Sequence, residues 1–188
     1  MSILRYTSLE EEFATCFFSM NYVLDDQCSR GIFQHLTDIY RRETVSTSLA
    51  DAVISIGTAG LAHFYKDPSV MVNANKKYSS ALSSVSILLR DSTLAKEDQT
   101  LLAVVLLGVY EVSRLLHRVS KNLTHHVQTN TCSSVEAMES LNKHVSGAEA
   151  LLQLRGKQQL ETVLGRDLFA HVRAQVVSSY VSTLKFEP

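Results

Sequence analysis

The chain of 188 residues contains no tryptophan, three cysteines, seven glycines and two prolines, and only Pro68 of the two prolines is internal. So few breakers exclude a sandwich or barrel of many short strands, which needs a turn former roughly every ten residues. Cys16, Cys28 and Cys132 are odd in number and far apart, which excludes a disulfide scaffold and a zinc site of paired cysteines. Reduced thiols suit the nucleus or cytoplasm. Neither sign of charge dominates: 18 basic side chains face 19 acidic ones, for a net charge of -1. A basic nucleic-acid binder and an acidic solvating tail are thereby excluded. The uncharged run Leu101 to Tyr110 meets Glu111 and Arg114 well short of the ~18 apolar residues that a membrane span needs, and reads as a buried central helix. The opening residues lead directly into Glu10, Glu11 and Glu12, with no basic start or apolar stretch. Secretion is therefore not expected. Ser2 in place of glycine and the lack of a C-terminal prenylation cysteine argue against lipid anchors.

Hydrophobic residues make up 45% of the chain and charged residues 20%, enough to bury a sizeable core. The periodicity predicts one all-α domain over residues 1–188, a single array of about seven helices. Ser8 and Glu11 form a capping-box pattern ahead of a first helix whose apolar stripe is Leu9, Phe13, Cys16, Phe17, Met20 and Leu24. Cys16 on that stripe reads as an inert core thiol. A short second helix follows Gly31 and turns Ile32, Phe33, Leu36, Ile39 and Tyr40 inward. A third runs from Ser46–Ser48 to Tyr65 on a line of Leu49, Val53, Ile56, Gly60 and Phe64, with Gly57, Ala59, Gly60 and Ala62 small enough to admit a neighbouring helix. Lys66-Asp67-Pro68 ends it. The fourth spans Ser69 to Arg90 with Tyr78, Leu82, Val85 and Leu89 inside, and the fifth runs from Asp98 to about Val119. Residues 120–133 lack periodicity and read as a loop. A sixth helix covers Ser134 to Leu154, stopping at Gly156, and a seventh covers Gln158 to Leu184.

Three segments carry a family resemblance: Tyr78-Ser-Ser-Ala-Leu82 with Leu88-Leu89, the stretch Asp98 to Glu111, and His144-Val-Ser-Gly-Ala-Glu-Ala-Leu-Leu-Gln-Leu-Arg-Gly156. In this order the chain, over residues 30–180, resembles the fungal-specific regulatory domain found C-terminal to binuclear zinc-cluster DNA-binding modules. The resemblance implies an all-helical, effector-binding module of transcriptional regulation. Three scattered cysteines cannot form the six-cysteine cluster, so this chain by itself is not expected to bind DNA. Family members usually continue into a further helical half. Faces that would meet that half need cover, which predicts a two-fold homodimer.

No phosphate loop, nucleophile elbow or dinucleotide fingerprint occurs, and no cofactor or metal is expected. His125-His126 lack a partner at ligand spacing, and His117 stands alone. Four residues are candidates for acid–base catalysis. Glu111 closes the apolar run, His144 begins the segment that runs to Gly156, and Tyr22 with Asp25 belongs to a polar cluster that also holds Asp26 and His35. Tyr110 and Arg155 are candidates for contacts to an apolar small molecule in a helix-lined pocket. The simpler readings are a Glu111–Arg114 pair along the helix, a His144 bond to a nearby carbonyl, an Arg155 cap before Gly156 and a solvated helix end at Asp25-Asp26. Two functions follow as expectations. One is a regulatory, effector-binding domain; the other is a cofactor-independent cyclase or isomerase of fungal secondary metabolism recruited from this fold.

Overall fold

Short polar side chains start the helices. The Ser8 hydroxyl accepts the Glu11 amide at 3.3 Å while the Glu11 carboxylate accepts the Ser8 amide, closing a capping box at the head of α1 (Leu9–Phe18). A π-helical turn, Ser19–Val23, continues it. Ser46 caps α2 (Thr47–Tyr65) through the Leu49 amide, and Asp67 caps α3 (Pro68–Leu88) through that of Ser69. Pro68 sits in the first turn of α3, where its missing N–H is no loss. Between α2 and α3 only Lys66 and Asp67 intervene. Lys66 takes the left-handed φ of 55° that closes a helix, so α2 and α3 return on one another as a hairpin. A 3₁₀ turn, Leu94–Lys96, leads to α4 (Asp98–Thr124). Helix α5 (Thr131–Arg155) stops at Gly156, whose φ of 64° disfavours any side chain, and a 3₁₀ segment, Gly156–Glu161, precedes α6 (Val163–Leu184).

The computed structural model describes residues 8–23, 36, 39–40, 44–124 and 131–184, excepting the side chains of 115–124, 131–137 and 178–184. Among the described residues are six α-helices and no strand. The protein is all-α. Its axis is α4, which packs against α2, α3, α5 and α6 and buries Leu101 through Leu107 without a break. A helix that is apolar all round belongs at the centre, and this one has neighbours on every side. One core cluster runs from Phe18 on α1 to Leu168 and Val172 on α6. No helix among the described residues is long and apolar enough to cross a membrane.

Several expectations are corrected. Among the described residues the α-helices number six, against an expectation of about seven for the whole chain. The short second helix falls mostly outside the described residues, although Leu36 and Ile39 are buried in the core. Helix α1 buries Ala14 and Phe18, while Leu9, Phe13, Cys16 and Met20 face outward. The cause is backbone proximity. A Cβ built on Gly57 would fall on the Ala14 carbonyl oxygen, so α1 and α2 meet through their smallest residues, with Phe17 lying over Gly60. That rotation makes Cys16 a surface thiol rather than a core one. Phe64, Leu82 and Leu89 are likewise exposed. Helix α3 presents Ala74, Ala81 and Val85 inward, and this alanine-rich side fits closely packed neighbours. Within the loop expected at 120–133, residues up to Thr124 belong to α4 and those from Thr131 to α5, and 125–130 lie outside the described residues. The last helix starts at Val163 instead of Gln158. The Gln159 amide nitrogen donates to the carbonyls of Leu152 and Gly156, which holds the preceding turn in 3₁₀ form.

Candidate functional site

Three helices bring polar side chains together around the buried Tyr110 and Glu111, at the margin of the core. Asn75 and Tyr78 are three apart on α3, Tyr110 and Arg114 four apart on α4 with Glu111 between them, and Ser140 and His144 four apart on α5. Each set therefore shares a helix face. The rings of Tyr78 and Tyr110 stack at 4.6 Å between centroids, and the Tyr110 hydroxyl donates to Asn75 Oδ1 at 2.8 Å. Tyr78 Oη and His144 Nε2 are hydrogen-bonded at 2.9 Å. Glu111, only 2% exposed, accepts from Ser140 Oγ at 3.1 Å and pairs with Arg114 Nη1 at 3.3 Å. The Arg114 guanidinium also lies over the Tyr110 ring at 5.9 Å.

This environment sets the ionisation of its members. Burial pushes His144 below its ordinary value, against the opposing pull of the Glu111 charge, so its imidazole is neutral near pH 7. Burial first, and the Glu111 carboxylate second, push the Tyr78 phenol well up. Burial likewise raises Tyr110 to about 12. Both phenols stay protonated and serve as hydrogen-bonding groups. The hydrogen bonds of the cluster run from member to member, and α3, α4 and α5 are joined through them. Such a network specifies how three helices meet.

The residues expected from the sequence separate into three places. Glu111, His144 and Tyr110 come together here. Tyr22 stacks on Phe18 at 5.1 Å, some distance along the chain from this cluster and on α1's own extension. Asp25, Asp26 and His35 lie outside the described residues, as do His125, His126 and the side chain of His117. Arg155 is neither a helix cap nor a neighbour of His144. Its Nη2 pairs with Asp98 and so ties the end of α5 to the start of α4. His144 bonds the Tyr78 hydroxyl instead of a carbonyl, and the expected Glu111–Arg114 pair is present. Asn75 and Ser140 were not anticipated, and Tyr78 was expected only as a core residue. The signal for Ser140 was its place one helical turn before His144.

A second polar network was also missed. Asp51, the only carboxylate of α2, accepts from Ser80 Oγ at 2.7 Å and from Lys77 Nζ at 3.3 Å. Lys77 also pairs with Glu11 of α1. Burial works against the lysine charge, but its bonds to Glu11 and Asp51 prevail and raise its pKa.

Three cavities lie away from the Tyr78–His144 cluster. One, of about 460 Å³, is an open groove. Its floor is one face of α2, Ile54, Thr58, Leu61 and Tyr65, at spacings of four, three and four. Phe13 and Glu10 of α1 form one wall, and Asn73 and Lys76 of α3 stand in the other. A cavity of about 240 Å³ lies under Phe18 and Tyr40, and one of about 300 Å³ lies beside Arg155 and Gln159. Among the described residues no three His, Cys, Asp or Glu side chains are grouped to hold a metal ion. No protein-family model, curated protein or solved structure matches the chain.

Proposed function

We propose that this chain is a regulatory helical domain of the fungal zinc-cluster activator type, a module that works by binding rather than by chemistry. The observation that carries this reading is the contrast between its polar cluster and its apolar groove. The acid–base candidates Glu111 and His144 are occupied by Ser140, Arg114 and Tyr78, and no cavity described above opens onto them. The apolar groove, by contrast, is open, and Phe13 and Tyr65 at its edge are 60% and 68% exposed. Large exposed apolar side chains gathered around a concavity suit association. The groove is then where an effector or partner acts, and the polar cluster keeps α3, α4 and α5 in register.

The test is a transcriptional reporter driven by this chain fused to a heterologous DNA-binding module. Phe13→Asp and Tyr65→Asp should each lower output several-fold while helicity is retained. Tyr78→Phe should leave output unchanged. Full output from both groove variants overturns the reading.

A cofactor-independent cyclase or isomerase is the second reading, favoured by the Tyr78–His144 bond beside a buried carboxylate. It requires turnover of a pathway intermediate that falls sharply in both Tyr78→Phe and Glu111→Gln. Turnover that survives both substitutions removes it.

A further inference from the structure

We propose that the groove between α1 and α3 is closed by a second copy of this chain, packed about a two-fold axis running along α2. The proposal rests on the groove being the association face, as argued above, and adds the identity of its occupant. Charge placement carries it. The α1 wall ends in glutamates, with Glu10 lining the groove, and the α3 wall carries Lys76 opposite. The Glu11–Lys77 ion pair bridges the two walls, so their chain neighbours Glu10 and Lys76 stand at one level along the groove. Among the described residues neither Glu10 nor Lys76 has a charged partner.

A two-fold axis parallel to the groove exchanges its walls while keeping their level. Glu10 of one protomer then faces Lys76 of its partner, and the contact occurs twice. An axis across the groove would instead set glutamate on glutamate. Between these charged edges lie the apolar groups that need cover, Phe13 on α1 and Tyr65 on α2. An apolar centre with a polar, sign-matched rim is the usual build of a protein interface. With a net charge of -1, two copies do not repel each other at long range.

Sedimentation of the purified full chain tests this directly. The wild-type chain should be a dimer at micromolar concentration, and Phe13→Asp a monomer of unchanged helicity. Glu10→Lys and Lys76→Glu should each weaken self-association about tenfold, because each creates two like-charge contacts. An equimolar mixture of these two variants should recover the dimer. In the mixed pair one protomer carries lysine at both positions and its partner carries glutamate at both. Each of the two contacts then joins opposite charges again, a rescue that pairing inside one protomer cannot give. A monomeric wild-type chain overturns the proposal, and so does a mixture that stays apart. Either result leaves the regulatory reading to its own reporter test. A dimer whose monomeric Phe13→Asp variant still activates fully overturns the regulatory reading instead and leaves the two-fold standing.

Discussion

Glu111 shows how one side chain ties two helices together. It sits one turn beyond the buried run Leu101 to Leu107, where an unpaired carboxylate would be expensive, and it is held by Arg114 on its own helix and Ser140 on α5. Removing it leaves Arg114 facing a buried gap and the Ser140 hydroxyl without an acceptor. Glu111→Ala should therefore cost about 2 kcal/mol in urea denaturation, less than a fully buried pair because Arg114 is partly open to water. Glu111→Gln keeps an acceptor for Ser140 and should cost about half as much. Equal losses for the two variants would show that the charge, and not the bond to Ser140, matters here. Of this cluster, Glu111, Arg114, Tyr110 and His144 were legible in the sequence. The i,i+3 spacing of Glu111 and Arg114 and the end of the apolar run both lie in local order. The Tyr78–His144 bond joins residues 66 apart, and no local pattern encodes such a meeting.

At the scale of the helix, the packing of α1 on α2 depends on Gly57. Any side chain there would strike the backbone of Ala14, and backbone cannot yield as a flexible side chain can. Gly57→Val should cost about 2–3 kcal/mol and speed hydrogen exchange of the α1 amides ahead of the rest. Gly108→Ala is the internal control. Its Cβ would meet His144 Cβ at 3.5 Å, an ordinary contact, so the change should be neutral or stabilise by up to about 1 kcal/mol through helix propensity. A Gly57→Val variant as stable as the wild type would refute the close approach. Helix boundaries were largely legible, because Ser8, Ser46, Asp67, Pro68 and Gly156 act through local backbone chemistry. The buried face of α1 was not. Leu9, Phe13, Cys16 and Met20 make a good apolar stripe, yet the smaller side containing Ala14 won because closely approaching backbones need small residues between them. A stripe states that a face seeks cover, not whether its own fold or another molecule supplies it.

The whole molecule should be acid-sensitive for a reason visible in its interior. His144 faces the Tyr78 hydroxyl from α3 and the Glu111 charge from α4, and burial holds its pKa below the usual histidine value. Burial does the same to His171 on α6. Well above pH 6.5 both imidazoles are neutral whether the chain is folded or not, and they add no pH dependence. As pH falls below that value the unfolded chain takes up protons first, so it binds more of them and stability drops until the folded state also protonates. The slope is at most about 1.4 kcal/mol per pH unit for each histidine. Thermal unfolding should thus show a flat Tm from neutral pH upward and a decline from about pH 6.5 towards 5, before Asp and Glu protonation adds its own loss. His144→Gln removes one titrating group while leaving an amide to meet Tyr78, and should shallow that decline. Combining it with His171→Gln should nearly flatten it. A decline of unchanged steepness in the double variant would mean that neither imidazole is held neutral by the packed interior.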